Sequence, residues 1–220
     1  YFNYPEKDVE INYEPVDILY ENTFLIVAFK PPFLLVHDDG NNQDTLQARV
    51  NGYLQLNQNK YPAQAIHRID YETSGLVLFC KHPFFQAYCD KNMEEHHIKK
   101  EYIALVQGHT NYKNKKIISN IARDRHNAKK MIIHPNGKES VSIFNTLKNY
   151  KDCSLIQVTI LTGRKHQIRV QCASLNHPIL NDPLYGGKKI DNTGLLLQSH
   201  HIQFNDVDIT CPQEKRFIRK

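Results

Sequence analysis

Asp70 is a carboxylate in a basic neighbourhood. It follows His67 and Arg68 in Ile66-His-Arg-Ile-Asp-Tyr-Glu-Thr-Ser-Gly75, with a small polar turn, Thr73-Ser74-Gly75, behind it. An apolar run, Leu76-Val-Leu-Phe-Cys80, comes next. Two readings are open. An Arg–Asp pair can fix a bend, or neighbouring cations can keep an Asp ionised and present it to a polyanionic substrate as nucleophile or base. A second stretch, Leu161-Thr-Gly-Arg-Lys-His-Gln-Ile-Arg-Val170, concentrates Arg164, Lys165, His166 and Arg169 behind a Thr-Gly turn. The pattern predicts a strand, then a helix that Gly163 precedes, Thr162 caps and Asn176 ends, with first-turn N–H groups able to hold an anion. Lys165 and Arg169 would share one face of it. Cations at a helix N-terminus oppose its dipole, so they point to a phosphate or carboxylate partner; the plainer alternative is a basic helix start in solvent. In Lys99-Lys-Glu-Tyr-Ile-Ala104, Tyr102 shares a strand face with Ala104 and Val106. It is either a core residue or a platform for a base.

These segments belong to a chain of 220 residues with net charge +5, enough for one large domain or two small ones. The positive charge gathers at residues 113–138, which include Lys129 and Lys130, at 163–170, and in the terminal Lys215-Arg-Phe-Ile-Arg-Lys220. Such patches fit either a phosphate-bearing partner or a solvated surface. The five cysteines form no Cys-x-x-Cys, which predicts reduced, mostly buried thiols in the cytoplasm. No apolar run approaches membrane-spanning length, and no leader pattern is present. Of the twelve histidines, the pairs His96-His97 and His200-His201 are adjacent, so neither pair can face one site from a regular element. With no His-Glu-x-x-His, no metal is expected; nor is there a glycine-rich nucleotide loop.

Residues 1–16 read as a polar extension. Asp17–Tyr20 and Phe24–Phe29 read as strands that end at Lys30-Pro-Pro, and residues 44–56 as a helix. Pro83 is predicted to start a helix with Phe84, Tyr88 and Met93 facing inward. Further strands are expected at 76–80, 101–107, 141–148, 153–161, 195–197 and 201–204, and Asn136-Gly137 reads as a tight hairpin turn. Many strands, few helices and no βαβ alternation give an α+β class, a largely antiparallel mixed sheet with flanking helices.

The ordered motifs resemble the RluA family of pseudouridine synthases. His67-Arg-Ile-Asp-Tyr-Glu-Thr-Ser-Gly75 is similar to its central motif, and Lys100-Glu-Tyr-Ile-Ala104 to its Lys-x-Tyr-x-Ala strand. Leu161–Val170 is similar to its Thr-Gly-Arg-x-His-Gln-x-Arg segment, and His177-Pro-Ile-Leu-Asn-Asp-Pro-Leu-Tyr-Gly186 to its His-Pro-x-x-Gly-Asp-x-x-Tyr-Gly loop. The resemblance spans about residues 17–205. It implies a catalytic domain over 17–220, two lobes around a central cleft, that isomerises uridine in ribosomal RNA or tRNA by base flipping, as a monomer without cofactor or metal. It implies Asp70 as nucleophile, Tyr102 stacked on the uracil and assisting proton transfer, and Arg169 paired with the aspartate. Arg68 would take the flipped nucleotide's place in the RNA stack. His67, Arg164, Lys165, His166, Lys129 and Lys130 are the further candidate RNA contacts.

The chain departs from that pattern at Tyr71, Lys165, Gln171, Leu197-Gln-Ser199 and Asn181. The first four are expected to bear on target choice; Asn181, in place of a glycine, should tolerate positive φ. The residues before Asp17 are too few for the S4 domain of many relatives, so targeting is expected to rest on 109–138 and the C-terminal tail.

Overall fold

The computed structural model describes residues 9–40 and 44–219, so residues 1–8 of the predicted extension lie outside it. The chain opens with a hairpin, β1 (Asp17–Glu21) and β2 (Leu25–Lys30). Helix α1 (Leu46–Leu56) follows, its first turn capped where Thr45 accepts the Ala48 N–H. Next come β3 (Gln64–Ala65), β4 (Ser74–Cys80) and α2 (Pro83–Glu94). The second half holds β5 (Lys99–Gln107), β6 (Lys115–Arg123), β7 (Met131–Ile133), β8 (Lys138–Asn149) and β9 (Cys153–Ile160). It ends with α3 (Gln167–Ser174), β10 (Leu197–Phe204) and β11 (Val207–Thr210). Single 3-10 turns stand at Pro183–Tyr185 and Lys215–Phe217.

The strands form one mixed sheet in the order β1-β2-β4-β10-β5-β9-β8-β6-β7, with β3 and β11 paired to β4 and β10. All pairings are antiparallel except that of β4 with β10. The α+β expectation therefore holds. The continuous apolar run of β4 has a cause: Val77 and Phe79 join the core beneath α1, and Leu76, Leu78 and Cys80 join the core beneath α2. A strand covered on both faces has no polar face to alternate with. All five cysteines are buried and unpaired.

Four local expectations need correction. In α2 it is Cys89 that is buried, with Phe85 and Met93 partly so, whereas Phe84 is 74% and Tyr88 44% exposed. Asn136-Gly137 is not a tight hairpin, because β7 and β8 each pair with β6, on opposite sides of it. The turn passes across the β6 backbone, where a Cβ on Gly137 would stand 2.6 Å from the Ile121 carbonyl carbon. Residues 197–204 form one strand rather than two. Finally, α3 begins at Gln167, not behind Gly163, and its N-cap is His166 at φ 54° rather than Thr162. Lys165 thus precedes the helix and shares no face with Arg169.

The parallel β4–β10 contact positions the centre of the molecule. Gly75 pairs with Ser199, and Ser199 pairs in turn with Tyr102 of β5. The chain leaving Asp70 is thereby brought beside Tyr102. Gly75 has φ +112°, and a Cβ there would fall 2.1 Å from the Ser199 carbonyl oxygen. Gly75→Ala should therefore cost about 2–4 kcal/mol of folding stability, or prevent soluble expression, with urea denaturation as the check.

Candidate active site

Helix α3 is docked by amides as well as by Ile168 and Cys172, which join the main core. Gln171, fully buried, accepts from Ser142 Oγ at 2.8 Å and donates to Ser119 Oγ at 3.1 Å. One turn earlier Gln167 donates to Ser142 Oγ at 2.8 Å and accepts from Thr162 Oγ1 at 2.8 Å. Thr162, the expected cap, instead accepts the Val141 N–H at 2.9 Å and so ties the turn to β8. Buried amides with every group satisfied fix an orientation more sharply than apolar contacts do. They set the direction in which Arg169 leaves the helix.

Arg169 is 6% exposed and reaches two carboxylates. Its Nε and Nη2 each donate to Asp182 at 2.8 Å, a bidentate fork. Nη1 donates to Asp70 Oδ2 at 3.2 Å, and the guanidinium carbon lies 5.1 Å from the centroid of the Tyr185 ring. Burial works against the charge, but Asp182 and then Asp70 outweigh it and raise the guanidinium above its ordinary pKa. Asp182 is fully buried, whereas the Asp70 side chain is 26% exposed. The chain of charges thus runs from a sealed end to an open one.

The turn that carries Asp70 is gripped from both sides. The Thr73 N–H donates to the Asp70 carbonyl at 3.0 Å. Lys30, fully buried at the end of β2, donates to the carbonyls of Leu34 at 2.7 Å, Pro31 at 2.9 Å and Tyr71 at 3.0 Å. Burial lowers the Lys30 ammonium to about 7. On the far side Arg216 donates to Ser74 Oγ at 2.7 Å and to the Thr193 carbonyl at 2.7 Å, and Ser74 donates to Glu214.

Asp70, Tyr102 and Arg169 line one cleft of about 740 Å³, together with Arg68, Arg164, Lys165 and His166. The structure brings these sequence-predicted residues together. Tyr102 is 6% exposed; burial, and to a lesser degree the Asp70 charge, raises its phenol, so it stays protonated at neutral pH. Arg68 is exposed, with His37 Nε2 3.4 Å away. Arg164 donates to the Glu139 carbonyl at 2.9 Å, and Lys165 is exposed. Lys130 sits 5.7 Å from the centroid of the Tyr185 ring, so the β6–β7 turn approaches the site; Lys129 is exposed on the same turn.

Two predicted cations are not cations. His67 Nε2 accepts the Leu78 N–H at 3.2 Å, and burial, helped by the Lys100 charge, lowers the imidazole to about 3. It buttresses β4 as a neutral ring. Burial lowers His166 to about 4 against the pull of Asp70, so its 3.8 Å approach to Asp70 is no ion pair. Its Nδ1 lies 2.8 Å from the Tyr185 hydroxyl, which accepts the Met131 N–H at 2.8 Å and can donate to the ring. Of the departures tied to target choice, Gln171 and Gln198 are fully buried and pack internally, while Tyr71 is 46% exposed against Phe33. Asn181 does take positive φ, at 64°.

Sequence reading missed Asp182, Tyr185, Lys30 and Arg216 as site residues. The first two stand in the quoted 177–186 loop, and Lys30 heads the Lys-Pro step that ends β2. Nothing marked Arg216, which was counted among tail cations for RNA and instead clamps Ser74 and Glu214. Chemically, the site offers an orientated, accessible carboxylate in one cleft with a protonated phenol, within reach of surface cations. Among the described residues no group of three or more His, Cys, Asp or Glu side chains is arranged to hold a metal ion. Nor is any helix among them long and apolar enough to cross a membrane.

Comparison with known proteins agrees in both sequence and fold. A family model described as RNA pseudouridylate synthase matches residues 24–174. The uncharacterised RNA pseudouridine synthase YhcT of Bacillus subtilis is 35% identical over 178 residues, 80% of this chain and 59% of that protein. MG209 of Mycoplasma genitalium, also called an uncharacterised RNA pseudouridine synthase, is 31% identical over 93% of this chain and 69% of its own length. The ribosomal large subunit pseudouridine synthase C of Buchnera aphidicola is 36% identical over 79% of this chain and 55% of that protein. The chain therefore spans between 55% and 69% of the length of these relatives. Among solved structures, human RNA pseudouridylate synthase domain containing 1 shares the fold, with a TM-score of 0.78 and 23% identity over 92% of this chain and 85% of that one.

The sealed and open ends of the charge chain should respond differently to neutralisation. Asp182→Asn leaves Arg169 buried with half its partner charge removed and should cost about 3–5 kcal/mol in urea denaturation. Asp70→Asn, at the open end, should cost no more than about 1 kcal/mol.

Proposed function

The chain belongs to the RNA pseudouridylate synthase family, whose members are RNA isomerases, and on that premise we propose that it converts uridine to pseudouridine in structured RNA with Asp70 as the nucleophile. The observation that carries this reading is the Asp70 carboxylate, ion-paired to Arg169 at 3.2 Å yet open to a cleft that Tyr102 also lines. The proposed target is ribosomal RNA or tRNA. Ribosomal RNA comes first because several relatives carry the name ribosomal large subunit pseudouridine synthase. The acting unit is residues 17–220, two lobes about the cleft, working in the cytoplasm as a monomer with neither metal nor cofactor.

A uridine in a stem must leave the stack before any side chain reaches it, at a cost of a few kcal/mol. The exposed Arg68 guanidinium is suited to fill the gap by stacking and hydrogen bonding. Arg169 holds the Asp70 carboxylate aimed into the cleft, so it can attack the ribose or the uracil ring. The bond from ribose C1′ to N1 breaks with its electron pair left on the base, the base turns, a bond from C1′ to C5 forms, and the bond that Asp70 made to the ribose or the ring breaks to return the free carboxylate. C5 then loses its proton and N1 gains one, so the product is an isomer of the substrate. Tyr102, held protonated by burial, stacks on the uracil and relays a proton in these last steps. Arg164 and Lys165 at the cleft, with Lys129 and Lys130 beyond it, meet the RNA backbone.

The test is tritium release from RNA labelled at uridine C5, with unmodified ribosomal and tRNA transcripts assayed separately and EDTA present. The wild type should release label from one class, and Asp70→Asn should release none while still binding RNA. Tyr102→Phe should slow release by about 10²-fold or more. Release by Asp70→Asn at the wild-type rate would remove Asp70 from the chemistry, and no release by the wild type from either class would overturn the activity.

A further inference from the structure

We infer that Lys100 forms a phosphodiester-binding subsite in the wall of the cleft, holding a backbone phosphate of the bound RNA. The inference deepens the reading above and rests on RNA being the cleft's occupant.

Lys100 stands two residues before Tyr102 on β5, so the two side chains leave the strand on the same side. Both line the cleft. Lys100 is only 6% exposed, yet among the described residues its ammonium has no carboxylate and no carbonyl partner. Its one acceptor is the thioether of Met93, at 3.1 Å. A sulfur of that kind is a weak acceptor. Lys30, the other buried lysine, shows how this fold normally satisfies an ammonium: three backbone carbonyls within 3.0 Å. A cation taken out of water without such partners is expensive, and an arriving anion relieves that cost. Burial alone brings Lys100 down to about 8, so it remains mainly charged at neutral pH.

The surroundings favour an anion over a neutral acceptor. Lys100 Nζ would lie 4.0 Å from a Cβ on Gly163, so it faces the turn that leads into Arg164 and Lys165. Glycine leaves that space open. Lys100 from β5 and the two cations of the turn therefore border one part of the cleft, with Glu94 of α2 at its edge. The phosphodiester is the anionic group of RNA at neutral pH. A nucleotide rotated out of its stack toward Tyr102 carries its own phosphates with it. A single lysine suits one phosphate oxygen as a point charge, and an arginine would supply the same charge through a fork of donors. Contact with the backbone positions the nucleotide without touching the reacting bonds, so it should govern RNA affinity and leave the chemical step alone.

The experiment uses the full chain and whichever unmodified transcript supports tritium release, or the ribosomal transcript if neither does. Dissociation constants are measured across a salt series for the wild type, Lys100→Met and Lys100→Arg. Loss of one phosphate contact should weaken binding by about tenfold at low salt and lower the slope of log Kd against log salt by about 0.7–0.9. Lys100→Arg, which keeps the charge, should restore the slope. A Lys100→Met slope equal to that of the wild type would overturn the subsite, whether Kd weakens (a contact to uracil, or a merely structural lysine) or does not. A wild type that binds RNA without releasing tritium would defeat the proposed activity but leave the slope to decide Lys100. A wild type that does not bind RNA would overturn both.

Discussion

The Asp182 grip on Arg169 is the constraint from which the rest of the site follows. An arginine that is 6% exposed can keep its charge only if its donors are met, and Asp182, itself fully buried, meets two of them in a fork. That leaves one edge of a planar group whose direction is already set, and the edge points at Asp70. Two carboxylates against one guanidinium leave the group one negative charge in excess at neutral pH. The excess sits at the open end, because Asp182 is sealed and Asp70 is not. A carboxylate held in that way is orientated and accessible at once, which a lone aspartate in a basic groove would not be.

The sheet is what lets these residues meet. Asp70 leads into β4, Tyr102 is on β5, Arg169 is on α3 and Asp182 opens the 3-10 turn behind it. Only the parallel step between β4 and β10 brings the first two side by side, through Gly75, Ser199 and Tyr102 in neighbouring strands. The turn between Asp70 and β4 is then tied to segments distant in sequence: Lys30 from β2 holds the Tyr71 carbonyl, and Arg216 near the chain's end holds Ser74. Contacts of such long sequence separation make the site a product of the completed fold, not of any one motif.

That division explains what was legible beforehand. Local signals were read well where one element decides them: the helix expected at 44–56, the apolar strand at 76–80, and Asn181 at positive φ. The Asp70, Tyr102 and Arg169 triad was legible because four motifs keep their order along the chain. Errors came where tertiary contacts overrode local chemistry. Thr162 looks like a helix cap, but its hydroxyl is engaged by Val141 and Gln167. Asn136-Gly137 looks like a hairpin, but β6 lies between the strands it joins. Phe84 and Tyr88 were assigned inward because aromatics usually bury, yet the face of α2 turned to the core carries Cys89. Charge state was the least legible of all. His67 and His166 are neutral because of burial, which sequence proximity to Arg68 and Lys165 does not report.

The same distinction changes what the net charge of +5 means. A sequence count treats every basic residue as available to a polyanion. In the fold, Arg169 is occupied by two carboxylates, Lys30 by three carbonyls, and Arg216 by Ser74, Glu214 and the carbonyls of Thr193 and Leu195. Those cations hold the site together and offer little outward field. What remains at the cleft is Lys100 in its wall and a short arc at its rim, exposed Arg68 on one side and the turn bearing Arg164 and Lys165 on the other. On the proposed function, such an arc placed around a carboxylate resolves the conflict between a negative nucleophile and a negative substrate. The RNA backbone would be drawn to the rim by cations that touch no reacting atom, while Asp70, one oxygen engaged by Arg169, would be left to face the base. Under that proposal attraction and chemistry fall to different residues, the rim meeting the RNA and the Asp70–Arg169–Asp182 chain aiming the carboxylate.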